Sequence, residues 1–200
     1  MQPEEYQAFH DLVMAQERTE VQCARYLHHA RELLVPGSST NSRIFLENFN
    51  MYGRSDFFIV AKLLTERREE ENFAFFYEAK APQLYVMEFD GTSRRCVPTY
   101  DLMQAENQLI HYTSEASGNA EFLAQHGIVD AKNVKPGGII IGRRSDRYLR
   151  GDDPENSSVR LATRSLKLRE EYFYKSTNIK VFLWDRILDY LNPENPIVGR

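Results

Sequence analysis

Asn72-Phe73-Ala74-Phe75-Phe76-Tyr77-Glu78-Ala79-Lys80-Ala81-Pro82 is an aromatic, almost wholly apolar run that ends in two opposite charges. The apolar part, 73–77, is too short for a typical helix, is rich in residues that fill a pleated buried surface, and is soon closed by a proline. It therefore reads as a buried strand. Side chains alternate along a strand, so Glu78 and Lys80 point to the same face. Taking a carboxylate and an ammonium out of water is costly unless each has a partner or a metal ion. The end of this strand is thus the first place to look for chemistry.

Upstream, Asp56-Phe57-Phe58-Ile59-Val60 is a second strand, opened by an acid after a turn-like Tyr52-Gly53-Arg54. The charged residues 62–72 between the two runs read as an exposed hairpin connection. Antiparallel pairing across it sets Asp56 opposite Glu78 and Lys80. Two converging carboxylates suit a hard cation, Mg²⁺ or Mn²⁺. A lysine beside them can position a water or stabilise charge developing on a phosphate.

The rest of the composition narrows the classes. With 200 residues, 42% of them hydrophobic, the chain has material for one domain with a real core. A net charge of −4 gives no global basic character, so any nucleic-acid surface has to be local. Cys23 and Cys96 lie in no metal-type spacing and read as reduced thiols of a cytoplasmic protein. No signal peptide or long apolar span is present, which argues against a membrane protein. The glycines at 137, 138 and 142 form neither a phosphate loop nor a dinucleotide fingerprint, so no organic cofactor is expected.

In chain order, residues 3–34 carry apolar positions at the spacing of one long or two consecutive amphipathic helices. His28 and His29 fall at their end. Neighbours on a helix diverge by about 100°, so the pair is assigned a surface or packing role rather than a shared ion. Residues 42–49 read as a strand, as do 84–89 and 94–97, with Glu88 at a solvent-facing position. Thr99 caps a helix over 99–114 that carries Gln108 and Tyr112, four residues apart and hence on one flank facing the strand ends. A short helix follows at 120–126. Lys135-Pro136-Gly137-Gly138 reads as a turn before a strand over 139–141. Beyond it the chain turns basic: Arg143, Arg144 and Arg147 lead towards a long helix over 158–174 that carries Arg164 and Lys167. These five are the candidates for gripping a phosphate backbone, with a solvated loop as the alternative. A last strand over 179–184, a short helix capped by Asp185 and a loose tail over 192–200 complete the chain.

Asp56 followed across a hairpin by Glu78-Ala79-Lys80 resembles the active-site signature of the PD-(D/E)XK, or restriction-endonuclease-like, superfamily, with Ser55 in place of the leading proline. The order of that hairpin, the Gln108 helix, Ile139-Ile140-Ile141-Gly142-Arg143, the basic helix and Ile179-Lys180-Val181-Phe182-Leu183-Trp184-Asp185 is similar to the Shedu nuclease domain of bacterial anti-phage defence proteins. The resemblance implies an α/β fold with a mixed central β-sheet flanked by helices. It implies a nuclease domain over 41–191, which follows the helical segment read over 1–40 and precedes the flexible tail over 192–200. It also implies metal-dependent cleavage of DNA by a homo-oligomer. Asp56, Glu78 and the Ala79 carbonyl would hold Mg²⁺ or Mn²⁺, Lys80 would act on water or phosphate, and Gln108 would point into the site. A glutamate of the first helices, Glu20 or Glu32, would lie near the metal. On the residues alone two other classes stay open. One is a nucleic-acid-binding or scaffold module without turnover; the other is an interaction domain in which Glu78 and Lys80 form only a salt bridge.

Overall fold

The computed structural model describes residues 1–38, 42–46, 49–50, 53–54, 57–66, 68–151 and 157–195. The chain begins with α1 (Pro3–Met14), α2 (Glu20–Ala24), a 3-10 turn (Leu27–Ala30) and α3 (Arg31–Leu34). Strands follow: β1 (Ser42–Leu46), the short β2 (Phe49–Asn50) and β3 (Gly53–Arg54), β4 (Phe57–Leu64), β5 (Glu70–Ala79), β6 (Met87–Asp90) and β7 (Arg95–Pro98). Next come α4 (Tyr100–Gly118), α5 (Ala120–His126), β8 (Val134–Ile140) and β9 (Leu149–Arg150). The chain closes with α6 (Ser157–Arg169), a π-helical segment (Glu170–Tyr174), α7 (Lys175–Thr177), β10 (Val181–Phe182) and α8 (Trp184–Leu191).

The main sheet has the order β1-β4-β5-β8-β10. Its β1-β4 and β4-β5 pairings are antiparallel, and its β5-β8 and β8-β10 pairings are parallel. This is a mixed five-stranded sheet of the α/β class. A smaller sheet, β7-β6-β9, lies under α6. Among the described residues no helix is long and apolar enough to cross a membrane.

Strand alternation sorts the core into two layers. Phe58, Val60, Ala74 and Phe76 face α4, α5 and α6, where Leu102, Leu109, Phe122 and Leu166 cover them. Phe57, Ile59, Ala61, Tyr77 and Ala79 face the other way, against Phe9, Val13, Leu27 and Leu34 of the N-terminal helices and Trp184 and Ile187 of α8. The helices within residues 3–34 thus supply part of this second, lower layer, together with α8. Tyr77 is buried there and its hydroxyl donates to Leu34 O at 2.9 Å; burial holds its phenol well above the ordinary tyrosine range. Burial also pushes the Cys23 thiol up to about 11, so it is an unreactive core group.

Several local expectations hold. Thr99 Oγ1 accepts from Leu102 N at 3.3 Å and donates to Tyr85 O at 2.7 Å, which starts α4. Asn119 accepts from the amides of Glu121 and Phe122 to start α5, and Gly127, at φ +62°, ends it. Others are corrected. The strand expected over 84–89 begins only at Met87, and the strand expected over 179–184 is reduced to Val181–Phe182.

The largest correction concerns Lys135-Pro136-Gly137-Gly138, which is not a turn but the middle of β8. Phe76 pairs with Pro136 and Tyr77 with Gly138, so Gly137 is the extra residue of a bulge. A bulge accommodates the proline, which lacks an amide for the ladder. The glycines are there for space: a Cβ on Gly137 would stand 2.4 Å from the Tyr77 ring, and one on Gly138 would stand 2.5 Å from Lys180 O. Tyr77 and the chain leading into β10 close down on β8 through these two gaps.

Gly137→Ala is therefore expected to lower stability by about 1–3 kcal/mol, the usual cost of overpacking a closed core. Gly118→Ala, with nothing within 4 Å of its Cβ, is expected to be neutral or slightly stabilising. Urea unfolding midpoints of the two variants check the contrast.

Candidate active site

Glu78 shares the parity of Ala74 and Phe76 along β5, so its side chain leaves the sheet on the α4 side. It sits opposite Ile139 of β8, at the C-terminal end of two parallel strands. In open α/β sheets such strand ends are where ligands bind. The carboxylate is 3% exposed.

Lys80, the first residue beyond the strand, is pinned by its backbone. Its amide donates to Ile140 O at 2.8 Å, and its carbonyl accepts from the Trp184 indole at 2.7 Å. The next amide, that of Ala81, donates to Glu20 Oε2 at 2.9 Å. Three elements (β8, α8 and α2) thereby fix the direction in which Lys80 leaves the sheet. Its Nζ donates to Glu78 Oε1 at 2.7 Å and to Gln108 Oε1 at 2.8 Å, and its side chain is 13% exposed.

The structure thus brings Glu78, Lys80 and Gln108 into one hydrogen-bonded line. Gln108 arrives because it flanks the buried stripe Leu102, Ala105 and Leu109 that docks α4 onto the sheet. Tyr112, expected beside it at the strand ends, instead packs against the core. The position of α4 is further set by Glu106, which is nearly buried. It accepts from Arg169 Nε at 2.9 Å and from the Tyr174 hydroxyl. That carboxylate, after desolvation, helps hold the Tyr174 phenol above its ordinary range, and its hydrogen bond raises the Arg169 guanidinium further.

Asp56 lies outside the described residues. Phe57, which follows it in the chain, pairs with Tyr77, which precedes Glu78. Ala79, the remaining expected metal-site residue, is buried opposite Ile140. Of the two helix glutamates, Glu20 is the one at the site, through Ala81 N; Glu32 accepts from Gly37 N at 2.7 Å instead. Beside the Lys80 ammonium, the side-chain acceptors gathered here, on Glu78, Gln108 and Glu20, are all oxygens, a set that would suit Mg²⁺ or Mn²⁺ better than a thiophilic ion.

The basic residues divide. Arg143 is 0% exposed; its guanidinium forks onto Asp146 at 2.8 and 2.7 Å and donates to Val13 O of α1. This corrects its expected role as a phosphate contact: its donors are spent in joining the β8 exit to α1. Arg147 is half-buried, bonds Asp146 at 3.0 Å and lies over the Tyr85 ring at 5.3 Å. Arg144, Arg164 and Lys167 are exposed. On α6, Ala162 and Leu166 face the core, which turns Arg164 and Lys167 to solvent. Asp185 does not cap α8. Its Oδ2 accepts from the amides of Arg144 and Ser145 at 2.7 and 3.2 Å, holding the basic loop instead. Glu88, expected to face solvent, is partly exposed and pairs with Arg150.

Two groupings escaped the sequence. The Trp184 indole is one, since nothing local ties it to Lys80 from 104 residues away. The other involves His28 and His29, expected to diverge: with Glu5 they place three donor atoms within 4.8 Å of one another. The signal would have had to come from the docking of α1.

No protein-family model matches the chain, and no curated protein or solved structure matches it either.

Trp184→Phe keeps the ring in the lower layer but leaves the Lys80 carbonyl without the indole donor. It is expected to cost about 1–3 kcal/mol, the penalty for a buried acceptor left unmade. Chemical denaturation against wild type measures it.

Proposed function

We propose that the protein is a metal-dependent nuclease that hydrolyses phosphodiester bonds of DNA. The observation that carries this reading is the buried line from Glu78 through Lys80 to Gln108 at the end of β5, fixed by hydrogen bonds of 2.7 and 2.8 Å. A salt bridge needed only for stability gains little from this arrangement, because desolvating both charges offsets much of their attraction. A reaction that develops negative charge beside a fixed ammonium gains directly from it.

In this reading Asp56, Glu78 and the Ala79 carbonyl hold Mg²⁺ or Mn²⁺, with Glu20 close by. A carboxylate has two oxygens, so the contact of Lys80 with Oε1 is compatible with an ion on the same group. When bound, the ion supplies Lewis-acid polarisation of the phosphate and a lowered pKa for its water. The chain's own residues do the rest. Lys80 Nζ would donate to the attacking water or to a non-bridging phosphate oxygen as the water oxygen–phosphorus bond forms and the phosphorus–ester oxygen bond breaks, the water giving up its proton to solvent and the leaving ester oxygen taking one from solvent. Gln108 keeps Nζ on that line, and the backbone clamps on Lys80 and Ala81 limit its wandering. Arg144, Arg147, Arg164 and Lys167 are the phosphate contacts of the same proposal. Self-assembly and a role in defence against phage, in the cytoplasm, rest on the resemblance to the Shedu domain.

The test is cleavage of plasmid and linear DNA with Mg²⁺, with Mn²⁺ and with EDTA. Wild type is expected to cut only with metal. Lys80→Met and Asp56→Asn are expected to lower the rate by about 10²–10³-fold or more with unchanged circular dichroism. Gln108→Ala is expected to lose about 10–100-fold, as an orienting residue does. Cleavage retained in both Lys80→Met and Asp56→Asn discards the site.

The phosphate contacts have their own readout. Arg164→Ala with Lys167→Ala should flatten the dependence of log K on log salt for DNA binding by about 2 in slope, close to one for each lost phosphate contact. An unchanged slope removes α6 from the interface.

A further inference from the structure

The cluster of Glu5, His28 and His29 is built on elements that the proposed nuclease site does not use. Glu5 stands in the first turn of α1, and the two histidines stand in the 3-10 turn after α2. His29 Nε2 and Glu5 Oε1 are 2.7 Å apart. The rings of His28 and His29 lie with centroids 3.8 Å apart and planes at 40°. In isolation, adjacent residues on a 3-10 turn diverge by about 120°. Here His28 folds back so that Nδ1–H donates to Arg25 O at 2.7 Å, while His29 turns towards α1.

We propose that Glu5, His28 and His29 form a second metal site, one for a zinc-type ion, that clamps α1 to the 3-10 turn. The donor set is two imidazoles and a carboxylate, which suits Zn²⁺ and its neighbours Co²⁺, Ni²⁺ and Cu²⁺ and suits Mg²⁺ poorly. Its three donor atoms lie within 4.8 Å of one another. Bonds of about 2.0–2.1 Å in a tetrahedral shell bring ligand atoms to roughly 3.4 Å. Side-chain rotation closes the difference, and His28, being exposed, has the room. The hydrogen bond from His28 Nδ1 to Arg25 O is the outer contact that sets the tautomer of a metal-binding imidazole, leaving the lone pair on Nε2. At His29 the ion replaces the proton now shared with Glu5. Three protein ligands leave the fourth position to water.

The clamp has a consequence for the layer beneath the proposed active site. Phe9, one turn along α1 from Glu5, meets Trp184 edge-on at 6.1 Å, and Trp184 holds the Lys80 carbonyl. An ion that fixes α1 therefore steadies the support of Lys80 without touching it.

The test is calorimetric titration of the full chain with Zn²⁺ in excess Mg²⁺, together with electron paramagnetic resonance of the Cu²⁺ form. Wild type and Glu78→Gln should bind one Zn²⁺ per chain equally well, since the site does not include Glu78. His28→Ala and Glu5→Gln should weaken that event by about tenfold or more, and the Cu²⁺ spectrum should show coupling to two imidazole nitrogens, reduced to one in His28→Ala. His28 is exposed, so its variant should melt with wild type in the absence of zinc. Zinc affinity unchanged in His28→Ala and Glu5→Gln, or no zinc event at all, overturns the proposal and leaves Glu5 and His29 as an ion pair. Loss of zinc binding in Glu78→Gln alone overturns it too. DNA cleavage by the same preparations reports separately on the nuclease reading.

Discussion

A carboxylate and an ammonium held together at the buried end of a strand set the terms for this fold. Glu78 and Lys80 are 3% and 13% exposed, and each needs compensation for the water it has lost. They obtain part of it from each other at 2.7 Å, and Lys80 obtains more from Gln108 at 2.8 Å. That geometry survives only if the chain between them cannot shift. The surrounding elements meet that demand one bond at a time: β8 through Ile140 O, α8 through Trp184, and α2 through Glu20. The N-terminal helices are therefore part of the support for the site and not an accessory to it.

The same requirement explains the unusual middle of β8. A parallel strand beside β5 is what delivers Ile140 O to the Lys80 amide. Bringing that strand in close, with Tyr77 pointing into the lower layer, leaves no room for a side chain at Gly137. The bulge at Pro136-Gly137 is how β8 stays in register on both sides of the Tyr77 ring. On the opposite face, the contact of Glu106 with Arg169 and Tyr174 ties α4 to the end of α6. It restrains the helix that carries Gln108 from the side remote from Lys80.

Much of this was legible where local chemistry and tertiary position agree. The aromatic run of β5 announced a buried strand, Thr99 announced α4, and the spacing of α4 placed Gln108 beside its buried stripe. Legibility failed where a long-range neighbour outweighed a local preference. Pro136-Gly137-Gly138 has the composition of a turn, and only the Tyr77 ring and Lys180 O explain why it is a strand. Arg143 belongs to a basic run, yet Asp146 and the α1 carbonyl of Val13 claim it. Asp185 sits where a helix cap would, but Leu183 occupies that position and Asp185 serves the loop amides. His28 and His29 looked divergent because helix geometry alone cannot foresee a ring turned back onto Arg25 O.

The central claim is that the oxygen-lined end of β5 holds a hard cation beside Lys80. Amide spectra of isotope-labelled protein titrated with substoichiometric Mn²⁺ test it most directly. The account predicts selective broadening of the Ala79, Lys80 and Ala81 amides, abolished in Glu78→Gln. Broadening that leaves those amides sharp, or that persists unchanged in Glu78→Gln, would contradict it.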